Sequence, residues 1–125
     1  MQKTARALAA LDCIASLARA ALKDRYTRPR ITNSREGRIS IQDGRHPMVE
    51  HALKREMFVP NDTELNHNDQ EILVITGPNM AGKSTYMRQV AVLTIMAQTG
   101  SFIPAKIASI SPLDRIFTRV GATDD

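Results

Sequence analysis

The sequence predicts an α/β fold with a parallel or mixed sheet, preceded by a long amphipathic helix, and three observations predict it. Residues 72–75, Ile72-Leu73-Val74-Ile75, form a continuous apolar run, the pattern of a strand buried on both faces. Gly77-Pro78-Asn79-Met80-Ala81-Gly82-Lys83-Ser84-Thr85 follows at once and satisfies G-x-x-x-x-G-K-[ST]. Residues 83–99 then contain neither Gly nor Pro and end at Gly100, as a helix with its stop signal does.

Strand, glycine loop and helix thus occur in the order that phosphate binding demands. The glycines let the backbone turn tightly, so that consecutive N–H groups can point at phosphate oxygens. The helix N-terminus behind them adds free N–H groups and the positive end of its dipole. In this geometry Lys83 reaches the β- and γ-phosphates and the Ser84 hydroxyl sits on Mg²⁺. An ordinary Gly/Pro/Asn turn before a lysine would explain the loop but not its flanks.

The remaining elements are read in chain order. Leu8, Leu11, Ala15, Ala18 and Leu22 recur at spacings of three and four, which predicts an amphipathic helix over residues 4–24 with a stripe that packs against something. Thr4 is its cap candidate but has no acidic partner three residues on, so the chain reads as entering a running helix. Arg38-Ile39-Ser40-Ile41-Gln42 alternates as a half-exposed strand and Asp43-Gly44 signals a turn that ends it. Met57-Phe58-Val59 is a short apolar run closed by Pro60, and residues 61–68 are polar enough for a surface loop. Residues 102–105, 108–111 and 115–120 are candidate strands.

Composition sets outer bounds. With 125 residues and 42% hydrophobic content the chain can form one modest globular domain. No apolar stretch reaches about 18 residues, so neither a membrane span nor a secretory leader is expected, and the expected location is the cytoplasm. The single cysteine, Cys13, lies among apolar neighbours and reads as a small buried hydrophobe. Seventeen Lys+Arg against 13 Asp+Glu leave a net charge of +4, with Arg19, Lys23, Arg25, Arg28, Arg30, Arg35, Arg38 and Arg45 concentrated in one stretch. That cluster fits a solvated surface better than a phosphate-backbone contact, because two tyrosines, three phenylalanines and no tryptophan offer few stacking platforms.

The run Val74-Ile75-Thr76-Gly77-Pro78-Asn79-Met80-Ala81-Gly82-Lys83-Ser84-Thr85-Tyr86-Met87-Arg88-Gln89 closely resembles the nucleotide-binding loop of MutS-type DNA mismatch repair proteins, in the form of the bacterial mismatch-recognising branch. The Pro-Asn-Met insert separates it from most other phosphate loops, including those of recombination or transport ATPases. Asp43-Gly44-Arg45-His46-Pro47-Met48-Val49-Glu50, residues 96–105 and residues 114–125 are similar to further family segments. Leu11-Asp12-Cys13-Ile14-Ala15-Ser16-Leu17-Ala18 resembles the return of the family's lever helices into its ATPase domain.

The resemblance implies a P-loop NTPase, ABC-like ATPase fold, with residues 1–25 as the end of the lever helix and 26–125 as the N-terminal half of the ATPase domain. By similarity, Gly77, Pro78, Asn79, Met80, Ala81, Gly82, Lys83, Ser84 and Thr85 bind the triphosphate of ATP, and Ser84 is the Mg²⁺ ligand. Asn79 is similar to a family asparagine near the γ-phosphate that helps to position the attacking water, so Lys83 and Asn79 are the residues tied to catalysis. Phe58 and Val59 match the apolar pair that flanks adenine, although on their own they read more often as simple core. His46 matches a structural turn residue rather than a base or a metal ligand. The implied partners are mismatched double-stranded DNA, a second copy forming a homodimer through the ATPase domain, and a MutL-type protein.

Two departures qualify what the resemblance implies. Ala81 stands where the family more often has glycine, at a cost of about 1 kcal/mol if a positive φ is needed. Hydrolysis also needs an acidic strand end to hold Mg²⁺ through water. No apolar run ending in Asp-Glu follows the loop here, and Asp124-Asp125 reads equally as a solvated chain end. The chain alone is therefore expected to bind nucleotide weakly, without turnover, or to be inert. Unpartnered apolar faces are expected on the helix over residues 83–99 and the strand over 115–120.

Overall fold

A computed structural model describes residues 1–54, 57–78 and 81–119. Asn79, Met80 and the segment with Asp124 and Asp125 lie outside the described residues. The element order is α1 (Gln2–Asp24), β1 (Arg30–Ile31), β2 (Arg38–Gly44), α2 (Pro47–Leu53), β3 (Asn61–Asn66), α3 (Lys83–Gln98) and β4 (Ile107–Ile110). The fold is α/β with a mixed four-stranded sheet in the order β1-β4-β2-β3. β4 runs parallel to β1 and antiparallel to β2, and β3 is antiparallel to β2.

The alternation seen in the sequence organises the sheet. In β2, Ile41 is fully buried and Ile39 packs beside it, while β4 turns Ala108 and Ile110 to the same core. α3 lays Leu93 and Ala97 over these residues, and Ile103 and Ala105 close the cluster. Gly44 is where helix and sheet approach most closely, since a Cβ there would lie 2.8 Å from the Gln89 amide nitrogen and 2.9 Å from Ile41. Gln89 is fully buried at that contact, and neither of its amide atoms has a hydrogen-bond partner among the described residues. Ser111 is buried too but well satisfied, with Oγ accepting from the Arg38 N–H at 2.9 Å and lying 2.7 Å from Thr32 Oγ1.

α3 matches its expectation closely. Thr99 caps it, Gly100 follows at φ 87°, and the Gly100 and Ser101 N–H groups return to Ala97 O and Met96 O. Elsewhere the structure corrects the reading. β2 does end at Asp43-Gly44, but the pair lies within the strand rather than in a turn after it: Asp43, at φ 51°, falls in a bulge between Ile41 and Gly44, and its N–H donates to Asp62 Oδ1 at 2.8 Å. The polar segment after Pro60 is the edge strand β3, whose Asn and Glu residues suit a strand paired on one side only.

The run 72–75 has no regular secondary structure and pairs with no strand among the described residues, and Ile72 and Val74 are 80% and 84% exposed. An all-apolar strand needs neighbours on both edges and cover on both faces, and the described residues set none beside it. Residues 115–119 likewise form no strand among the described residues, with Phe117 exposed. They are tethered upstream, where the Gln98 amide clasps the backbone of Leu113 by donating to its O at 2.9 Å and accepting from its N–H at 3.1 Å. Of the strands expected over 102–105 and 108–111, the first contributes only the Ile103 bridge to Thr27, and β4 supplies the second.

α1 begins at Gln2 with no side-chain cap and ends at Arg25, whose φ is 55°. Only Ala21 is buried along its length, so Leu8, Leu11 and Leu22 stand exposed and the stripe has no partner among the described residues. For the same reason Cys13 is exposed, not buried. No helix of the described residues is long and apolar enough to cross a membrane. Within the basic stretch, Arg38 pairs with Glu64 at 3.0 Å and Arg45 with Glu50 at 3.0 Å, which is structural use of two of those charges.

Candidate functional site

A cavity of about 590 Å³ opens beside the N-terminus of α3. One wall holds Ala81, Gly82, Lys83 and Thr85 from the glycine loop and the first helical turn. Phe58 and Val59 form another, with Asn61 and Asp62 from the start of β3, while Ile75, Thr76 and Tyr86 complete the lining. The size falls within the range of small-molecule sites, and a few polar groups converge among apolar ones. Phe58 and Val59 are therefore cavity residues rather than core, and Val59 is 76% exposed.

The loop is shaped by its glycines and by short bonds. The Ala81 N–H donates to Pro78 O at 3.3 Å and Lys83 Nζ donates to Gly77 O at 2.8 Å, so the ammonium lies over the loop. Two further ammonium hydrogens remain to be given. Gly82 caps α3 at φ 89°, with nothing within 4 Å of where a Cβ would sit. Gly82→Ala is expected to destabilise the chain by about 1–2 kcal/mol, purely through the left-handed backbone and without a clash; chemical denaturation measures it.

Ser84 does not line this cavity. It faces an adjoining one of about 550 Å³ between α3 and residues 113–119, with Arg88 and Phe117. Among the described residues no group of three or more His, Cys, Asp or Glu side chains could hold a metal. Asn61, Asp62 and Tyr86 escaped the sequence reading. Tyr86 was accessible to it, because three residues after Lys83 on a helix means the same face. The two β3 residues were not, since they arrive from a strand read as a loop.

His46 stands behind the site as a structural residue. It caps α2, with Nδ1 accepting from the Val49 N–H at 3.4 Å, and the neighbouring Arg45 N–H donates to Pro104 O at 2.8 Å. Burial first, and then the Arg88 charge, hold its imidazole below the usual histidine value. The unfolded chain thus takes up the proton at higher pH than the folded one. Its contribution is complete above about pH 6.5 and is lost as pH falls through the folded value. His46→Asn keeps a capping side chain without a titrating group, and is expected to flatten the fall in stability below pH 6.5 in denaturation midpoints taken from pH 4.5 to 7.5.

Residues 73–125 match the family model of MutS domain V. Over all 125 residues the chain is 58% identical to the DNA mismatch repair protein MutS of Clostridium kluyveri. The chain is a MutS-type sequence. It is also 57% identical to the DNA mismatch repair protein MutS of Acetivibrio thermocellus and 56% to that of Alkaliphilus oremlandii, in each case across 100% of its own length. It spans about 14% of the length of these curated MutS relatives. The domain V match takes in the glycine loop, α3 and β4, whereas Phe58, Val59 and β3 fall within the whole-chain likeness only.

Proposed function

We propose that this chain supplies the ATP-binding part of a MutS-type mismatch repair protein, with residues 1–25 as the end of a lever helix and 26–125 as the N-terminal half of a P-loop ATPase domain. The observation that carries the reading is the shared cavity, which Phe58 and Val59 line together with Gly82, Lys83 and Thr85. An apolar pair at one end and an anion cradle at the other suit a ligand with a flat base and a polyphosphate.

In this reading the N–H groups of residues 77–85 hold the triphosphate and Lys83 swings from Gly77 O onto the β- and γ-oxygens. Asn79 is assigned the orientation of the attacking water, and Met80 completes the loop. Mg²⁺ enters with the phosphates, and Ser84 is the residue that would hold it. Ser84 lines the second cavity rather than the one with Lys83. In the longer protein, nucleotide state is proposed to be coupled to mismatched double-stranded DNA, to a homodimer built through the ATPase domain and to a MutL-type partner, in the cytoplasm.

A second reading, a nucleotide-binding or inert fragment without turnover, is favoured for the isolated chain by the unpaired run 72–75, which leaves the loop without a sheet behind it. Titration with Mg-ATP, followed by calorimetry and by phosphate release, tests both. Weak binding and no release are expected. Release that disappears in Lys83→Ala would overturn the second reading, and an absence of any ATP binding would overturn the first.

A further inference from the structure

We infer that Tyr86 is a positioning residue that sets the distance between the two ends of the cavity, and so favours a ligand carrying both a base and a polyphosphate over a bare polyphosphate. The inference rests on the nucleotide reading above. Tyr86 sits on the first turn of α3, where its backbone N–H donates to Gly82 O at 2.9 Å. Its phenol reaches across to β3, donating to Asp62 O at 2.9 Å and lying 2.9 Å from Thr63 Oγ1. A phenol has one hydrogen to give, so with that hydrogen on Asp62 O it accepts from the threonine.

Thr63 is a firm anchor. It is 4% exposed and pairs with Ile41, the last regular pair of the β2–β3 ladder before the bulge. The base-flanking segment is not anchored in this way. Residues 57–60 belong to no strand, and their nearest fixed point is Asn61, whose side-chain amide donates to Val59 O at 3.1 Å. A continuous set of bonds thus runs from Gly82 through Tyr86 to Asp62, and along the backbone through Asn61 to Val59. The phosphate end reaches the Phe58–Val59 end through the phenol, across 24 residues of sequence between Asp62 and Tyr86.

The phosphate loop itself does not use the phenol oxygen. Removing that oxygen should therefore loosen the register between the two walls while leaving the anion cradle intact. Tyr86→Phe removes both bonds of the phenol oxygen and is expected to raise the Kd for Mg-ATP about fivefold while leaving the Kd for inorganic tripolyphosphate unchanged. Thr63→Val, which keeps the bond to Asp62 O, should show the same selective loss at smaller size. Calorimetry on the full chain with both ligands reads these ratios. Equal weakening of both ligands would mean damage to the loop and would overturn the inference, as would unchanged ATP binding in Tyr86→Phe. If the unaltered chain binds tripolyphosphate but not ATP, the nucleotide reading fails first and the inference with it.

Discussion

Lys83→Ala is expected to weaken Mg-ATP binding by about 100-fold while leaving the unfolding midpoint of the chain unchanged. The ammonium supplies charge-assisted bonds to phosphate oxygens, and each such bond contributes about 1.5–3 kcal/mol, so losing the group spans roughly ten- to more than a hundredfold in affinity. The fold does not depend on it, because Nζ is exposed and its partner in the structure is the Gly77 carbonyl of the same loop. Lys83→Arg should not restore binding, since a planar fork cannot replace a compact charge in a cradle shaped by backbone. Titration calorimetry beside thermal unfolding separates the two effects. A variant that loses stability and affinity together would show that the lysine is structural.

Leu93→Ala should remove about 3 kcal/mol of stability, a large part of the 5–15 kcal/mol typical of a domain. Leu93 has no exposed surface and lies in the cluster of Ile41, Ile103 and Ile110, where a deleted isopropyl group leaves a cavity that the sheet cannot fill. Ile95, two residues on, is 51% exposed, and Ile95→Ala should change stability by less than about 0.5 kcal/mol. Urea unfolding with an unchanged m-value gives both numbers. Equal effects at the two positions would mean that α3 is not packed on the sheet as described.

Features set by local chemistry were legible in the sequence. The limits of α3 follow from an uninterrupted helical run between Gly82 and Gly100, and β2 follows from the alternation around Ile39 and Ile41. Phe58 and Val59 read more readily as core from their own residues, and their place in the lining of the cavity depends on a fold that brings them to the loop. What depended on partners was not legible. β3 is polar because it is an edge strand paired with β2, a relation that its own residues do not announce. Residues 72–75 carry every mark of a buried strand and remain exposed, since burial is a property of what lies alongside. Cys13 is exposed for the same reason, since it lies on a helix whose stripe meets no partner among the described residues.

The manner in which α1 is attached has a mechanical side. The helix is held at its last turn, where the Arg45 guanidinium donates to Asp24 O at 2.8 Å and Arg25 O at 3.3 Å while pairing with Glu50 of α2. Its 23 residues extend about 34 Å from that point at 1.5 Å per residue. A rigid rod pivoted at its base multiplies angle into displacement, so a tilt of about 10° at Arg45 carries the far end through about 6 Å, given the same helical rise. In that geometry, sub-ångström adjustments in the three bonds of the Arg45 guanidinium would be magnified at Gln2 to about the height of a helical turn.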